Sequence, residues 1–171
     1  MKRWMIGTLA VGIMTVAGTV SAGDGIFLSL KANGADVPGE QKGTAIECVA
    51  FEQGVDVARD LATGLTTGRR TYQPLKCTKR IDRTSPLIQR ALTTNQVIEA
   101  TFRFYRPSPK GTEEQYYTIA IKAARVSSIK TINKEAPAQG TFEEVAFTFQ
   151  TISWTFTNGG ITHEDSAGAT R

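Results

Sequence analysis

The sequence predicts an all-β body carrying one short helix, and three observations lead there. Apolar residues recur at every second position through most of the chain, the period of a half-buried strand. Only SPLIQRALTTN (85–95) breaks into helical spacing. A late run, EEVAFTFQTISWTFTNGGITHED (143–165), carries two alternating sets out of phase: Val145, Phe147 and Phe149, then Ile152, Trp154 and Phe156. A strand over roughly 141–157 far exceeds the usual length of about five or six residues. A bulge near Gln150–Thr151 switches the parity and turns both sets toward one core; the alternative is a strand passing on to a second apolar surface, such as a subunit interface. Either needs a closed or nearly closed β-structure.

The elements follow in order. GIFLSLK (25–31) puts Ile26, Leu28 and Leu30 on one face, and DVPGEQKG reads as a turn. GTAIECVAFEQGV (43–55) is a second extended run, with Ile46, Cys48 and Ala50 in phase. TYQPLKCTKRID (71–82) is a third, its Pro74 marking an edge or a bulge near the start. QVIEATFRFYRP (96–107) alternates cleanly through Ile98, Ala100, Phe102 and Phe104. After the turn PSPKG, the run from 113 places Tyr117, Ile119, Ile121 and Ala123 on one parity, forming a hairpin with the run before it. Residues 127–133 continue extended, and 134–140 are a polar loop. In the helix, Ser85 is the expected N-cap, Pro86 the first helical residue and Asn95 the stop, with Leu87, Ile88, Ala91 and Leu92 on the buried face.

Residues 1–22 read as a secretory signal: MKRW supplies a positive start, Met5–Val20 is uncharged, and Val20-Ser21-Ala22 is a small-residue cleavage site. An uncleaved anchor or translation from Met14 are the alternatives. Cleavage leaves one domain over 23–171, secreted or extracellular by way of the periplasm, and no membrane insertion; if the signal is unused, assembly is cytoplasmic. Cleavage also removes Lys2 and Arg3 but no acid, so the formal charge of +4 falls to +2. That charge, with only the short basic runs GRRTY (68–72) and KCTKR (76–80), gives no case for nucleic acid; the runs read as solvated faces or rims of ion pairs.

Chemistry is sparse. The chain has two cysteines and one histidine, His163, without metal-ligand spacing, so no metal or cofactor is expected. Cys48 and Cys77 leave two readings open, a disulfide in an exported protein or ordinary buried thiols. Nucleophile-elbow, phosphate-loop and dinucleotide patterns are absent, and Glu113–Glu114 and Glu143–Glu144 read as solvated strand ends. No catalytic residue is assigned and no enzyme expected; His163 reads as a packing or hydrogen-bonding residue. What stands out is EQGVDVARDLATGLTTGRRTY (52–72), a long polar segment dotted with Val55, Val57, Leu61 and Leu65. It reads as a surface loop, either mobile or docking on a partner.

Three stretches in this order, TKRIDRTSPL (78–87), YTIAIKAARVSSI (117–129) and ISWTFTNGGITHED (152–165), resemble the haemolysin-coregulated proteins (Hcp) of bacterial type VI secretion. The similarity runs from about Ile26 to Asp165. It implies a small β-barrel of two antiparallel sheets with one short helix, assembling into a hexameric ring. Rings stack into a hollow tube that is itself secreted, with sheath, spike and effector proteins as partners and effectors carried in the lumen. It places the ring-stacking loop at 53–71 and its flank, with Val57, Arg59, Asp60, Leu61, Leu65, Arg69, Arg70 and Tyr72 as stacking residues. Three departures accompany it: members are typically leaderless, Ala167 stands where an aromatic is usual, and Cys48 and Cys77 take positions that are usually plain apolar. The leader favours an alternative, an exported relative acting as an extracytoplasmic binding or carrier module.

Overall fold

The computed structural model describes residues 24–134 and 140–167. The leader read at 1–22 and most of the polar loop at 134–140 lie outside them. The described strands are β1 (Gly25–Ala32), β2 (Ala35–Val37), β3 (Ile46–Cys48), β4 (Ala50–Glu52), β5 (Val55–Arg59), β6 (Thr66–Tyr72), β7 (Leu75–Arg80), β8 (Ile98–Pro107), β9 (Glu113–Lys134), β10 (Gly140–Thr148), β11 (Thr151–Phe156) and β12 (Ile161–Ser166). Helix α1 (Ser85–Thr93) lies between β7 and β8. Every pairing is antiparallel.

Two strands turn the corners. The first half of β9 pairs with β8 and β11, and its second half pairs with β10. The turn is made at Ala123, which sits in the left-handed region (φ 46°) and is exposed, while Ala124 takes the buried place. The alternation read through Ala123 therefore ends at Ile121, because the extra residue shifts the parity. The run 46–52 does the same on the other side. Its first half pairs with β1 and its second with β7, and the Val49 N–H bonds to the Thr78 carbonyl where it crosses. Ala50 is consequently exposed, and Phe51 turns inward onto the Phe102 and Phe104 rings. Hydrogen bonding passes from β1 through β8, β9, β10 and β7, and returns to β1 through 46–52. This is the barrel of two sheets that the resemblance implied.

The out-of-phase run resolves into two strands. β10 and β11 are separated at Phe149–Gln150, where the Gln150 N–H reaches the Lys122 carbonyl. The parity changes where expected, but at a break between two strands that both pair with β9 rather than by a bulge inside one strand. Val145, Phe147 and Ile152 all reach the same core, together with Leu28, Leu75, Ile98, Phe102 and Ile121. Asp36 and Val37, read as part of a turn, form β2 with Ala35 against the end of β1.

Helix α1 lays Ile88 and Ala91 on this core. Thr84, not Ser85, holds the N-cap position, and no side chain caps it. The Ser85 hydroxyl instead donates to Glu143, at 2.8 Å, and accepts from the Asp82 N–H. Asn95 stops the helix as expected. It adopts φ 52°, its N–H bonds to the Leu92 carbonyl, and the Gln96 N–H bonds to the Ala91 carbonyl. Those two bonds are a Schellman motif, which favours residues that tolerate left-handed backbone.

Glu143 corrects the reading of a solvated strand end. It faces Lys79 across the β7–β10 ladder, and both side chains are buried, 6% and 1% exposed. Lys79 continues the inward set Leu75–Cys77 with a charge. Its ammonium donates to Glu143 at 2.7 Å, Arg80 carbonyl at 2.8 Å, Asp82 at 2.9 Å and Ser85 at 3.1 Å. A lysine so placed contradicts the solvated reading of KCTKR. It is tolerated because every side of the ammonium meets an acceptor.

Candidate functional site

Among the described residues, strands β5 and β6 pair only with each other and form a separate two-stranded ribbon. The segment expected as a long loop is thus an ordered hairpin projecting from the barrel. Every residue of β5 is exposed, so neither of its faces packs on the body. A two-stranded ribbon is marginal alone in water, and this one is held at its tip and at its foot.

The tip is set by Asp60. Its carboxylate accepts the Ala62 and Thr63 N–H groups and the Thr63 hydroxyl, at 3.0, 2.7 and 2.8 Å. The Thr63 backbone bond, first among these, holds the Asp60 carboxyl below its ordinary range. Gly64, at φ 70°, makes the return, and Arg59 donates to its carbonyl. This turn presents Leu61 fully exposed and Leu65 at 67% exposure, above the exposed Val57 and Val55. Four exposed aliphatic side chains on one ribbon suit a surface that is covered in an assembly.

The foot is a cluster of polar and aromatic contacts. Arg70 and the Tyr72 hydroxyl both donate to Asp165 in β12, and Arg70 also reaches the Ser166 carbonyl at 3.1 Å. The Tyr72 ring meets Phe149 edge-on at 5.4 Å and stacks on Trp154 at 6.4 Å. His163, exposed, stacks parallel to Trp154 with centroids 5.6 Å apart. The Trp154 indole N–H donates to Gln53, just before the hairpin, at 3.3 Å. Burial and the bond to Asp165 push the Tyr72 hydroxyl up to about 12. Burial alone would raise Asp165, but the Tyr72 hydroxyl, the Ser166 N–H and Arg70 hold it below the usual carboxylate range.

The stacking residues read from the sequence therefore separate into two groups. Arg59, Asp60, Leu61 and Leu65 make the tip with Val57 below them, Arg69 is exposed along β6, and Arg70 and Tyr72 are foot residues turned toward the body. Sequence reasoning missed their partners Asp165, Trp154 and Phe149. The signal was present in ISWTFTNGGITHED, but the pairing of that stretch with 70–72 is purely tertiary. Cys48 and Cys77 are joined in a disulfide with Cα atoms 5.6 Å apart. Among the described residues no group of three His, Cys, Asp or Glu is placed to hold a metal. Lys79 and Glu143 are buried and ion-paired, and the half-buried Ser85 hydroxyl donates to Glu143 and accepts from Lys79.

The model of the type VI secretion system effector Hcp family matches residues 27–156. A relative in Pseudomonas aeruginosa PAO1, the "Major exported protein", is 35% identical over 121 residues, 67% of this chain and 70% of its own length. A tryptophan-substituted Hcp1 protein from the E. coli EAEC 042 pathovar superposes with a TM-score of 0.75 at 30% identity, covering 84% of this chain and 98% of that one. The secreted protein Hcp3 of Pseudomonas aeruginosa superposes with a TM-score of 0.71 at 22% identity, covering 85% and 99%.

Proposed function

The chain belongs to the Hcp family of type VI secretion proteins, and from that premise we propose that it is a structural, non-enzymatic subunit of a tube. Copies close into hexameric rings, the β5–β6 hairpin of each ring docks on the next, and the tube is secreted with effectors in its lumen. The observation that carries this reading is the hairpin itself. It has a rigid foot on Asp165 and an apolar tip at Leu61 and Leu65, with no barrel surface beneath. A ring interface is heterologous and closes by rotation, so an element pointing along the ring axis is left free to join rings. Sheath and spike proteins would then be partners of the assembled tube.

Leu65→Asp tests this. Burying a leucine contributes about 1.5–3 kcal/mol and burying an unpaired carboxylate opposes it, so each docked tip loses about tenfold or more in affinity. Native mass spectrometry and electron microscopy of the variant should show hexamers without stacks. Loss of hexamers, or unchanged stacks, would overturn the assignment of the hairpin.

A second reading is favoured by the disulfide and by the leader pattern of residues 1–22: an exported relative acting as an extracytoplasmic carrier or binding module. Protein recovered from the medium and beginning at Gly23 supports it; a chain that retains residues 1–22 or begins at Met14 supports ejection as a tube.

A further inference from the structure

The hairpin stands on a seam. The run 46–52 passes from β1 to β7 at Val49, and each half is held by only three register pairs. Cys48 closes the first half, and Cys77 lies opposite Phe51 in β7. Their disulfide therefore crosses from sheet to sheet at the handover. It spans 29 residues of sequence, which include all of β5 and β6. Both cysteines are buried, 3% and 0% exposed.

Two consequences follow. Without the bond, two three-residue ladders, the Val49–Thr78 hydrogen bond and the contacts of Phe51 and Gln53 remain, but no covalent tie joins β3 to β7. This segment and the hairpin beyond it then become a unit that opens locally more readily. With the bond, exchange requires an attacking thiolate to reach a sulfur, and burial denies it access. The oxidation state is thus set before the barrel closes and kept afterwards.

We propose that Cys48 and Cys77 are a co-folding oxidation site whose reactant is a disulfide-bearing oxidant, and that the bond it installs holds the hairpin in its docking pose. One cysteine thiolate attacks a sulfur of the oxidant's disulfide, forming a mixed disulfide and releasing one oxidant thiolate. The second cysteine thiolate then attacks the first cysteine's sulfur and releases the other. The chain loses two electrons and two thiol protons, and the oxidant's disulfide becomes two thiols. The clause on docking pose rests on the tube reading of the hairpin; the clause on oxidation does not.

The full chain is refolded from the reduced, denatured state with oxidised glutathione, and in parallel with dithiothreitol; a Cys48→Ala/Cys77→Ala variant accompanies both. Three readouts are taken: alkylation mass after dithiothreitol treatment, hydrogen exchange over 46–72, and stacking by electron microscopy. In the native oxidised chain the bond should survive reductant that removes it promptly once the chain is denatured. Without the bond, residues 46–72 should exchange about tenfold faster or more while β8 and β9 hold, and stacks should be lost. Failure of both unbridged forms to fold would place the requirement in folding itself and support the site. Equal reduction of native and denatured chains, or equal exchange with and without the bond, would overturn it. Stacks formed alike by bridged and unbridged chains would overturn the docking-pose clause. Slow exchange in an oxidised chain that makes no rings would instead overturn the tube reading and leave the oxidation site standing.

Discussion

The Tyr72 hydroxyl donates to the Asp165 carboxylate across 93 residues of sequence, fastening the foot of the hairpin to the last strand. Arg70 shares that carboxylate. Asp165 thus ties two residues of the ribbon to the barrel, and small changes there should loosen the hairpin without touching the core.

Tyr72→Phe removes one hydrogen bond and keeps the ring between Phe149 and Trp154, at a cost of about 0.5–1.5 kcal/mol. Asp165→Ala also strips Arg70 of its carboxylate and should cost more, about 1.5–3 kcal/mol. Urea unfolding gives the totals. Hydrogen exchange should place the loss in residues 55–72, and loss spread evenly over the barrel would count against the anchor.

The same pair predicts behaviour at both ends of the pH scale. Tyr72, pushed up to about 12 by burial and then by Asp165, favours its neutral form when folded. That contribution is present below the ordinary phenol value of about 10 and is lost as pH rises through 12. Asp165 and Asp82 are both held low against burial, Asp82 by Thr84 and Lys79. Their contributions are present above about pH 4 and are lost as pH falls below it. A phenol absorbance titration should therefore show a late-ionising tyrosine that moves earlier in Asp165→Asn. Thermal unfolding should weaken below about pH 4 in the native chain, and less so in Asp82→Asn/Asp165→Asn.

Lys79→Met leaves Glu143 buried without its ammonium, and should cost about 3–5 kcal/mol. Lys79→Met/Glu143→Leu removes both charges and should recover much of that loss, because the desolvation cost goes with them. A double-mutant cycle by urea unfolding measures the coupling; near-additive losses would argue against a tightly coupled pair.

Asn95→Gly should leave stability within about 1 kcal/mol, whereas Asn95→Val should cost about 1–2 kcal/mol, since a β-branched residue resists φ 52°. Circular dichroism melts of both variants are sufficient. Equal melts would mean that the helix stop does not depend on left-handed backbone.

Much of this molecule was legible in its sequence. The period-two pattern located β1, β8 and the start of β9, because one face of each meets the core and the other does not. Helix α1 was readable from Pro86, its apolar stripe and Asn95, all local devices. The phase change near Gln150 was visible because a parity slip leaves a mark in any strand with one buried face. What only the tertiary structure decided was partnership. Whether 46–52 bonds to β1 or β7, and whether Lys79 is solvated or buried against Glu143, depends on residues far away in sequence. So does the use of Asp165 by Arg70 and Tyr72. Residues 52–72 read as a loop because a ribbon exposed on both sides carries no one-sided pattern. Periodicity records burial, and every residue of β5 is exposed.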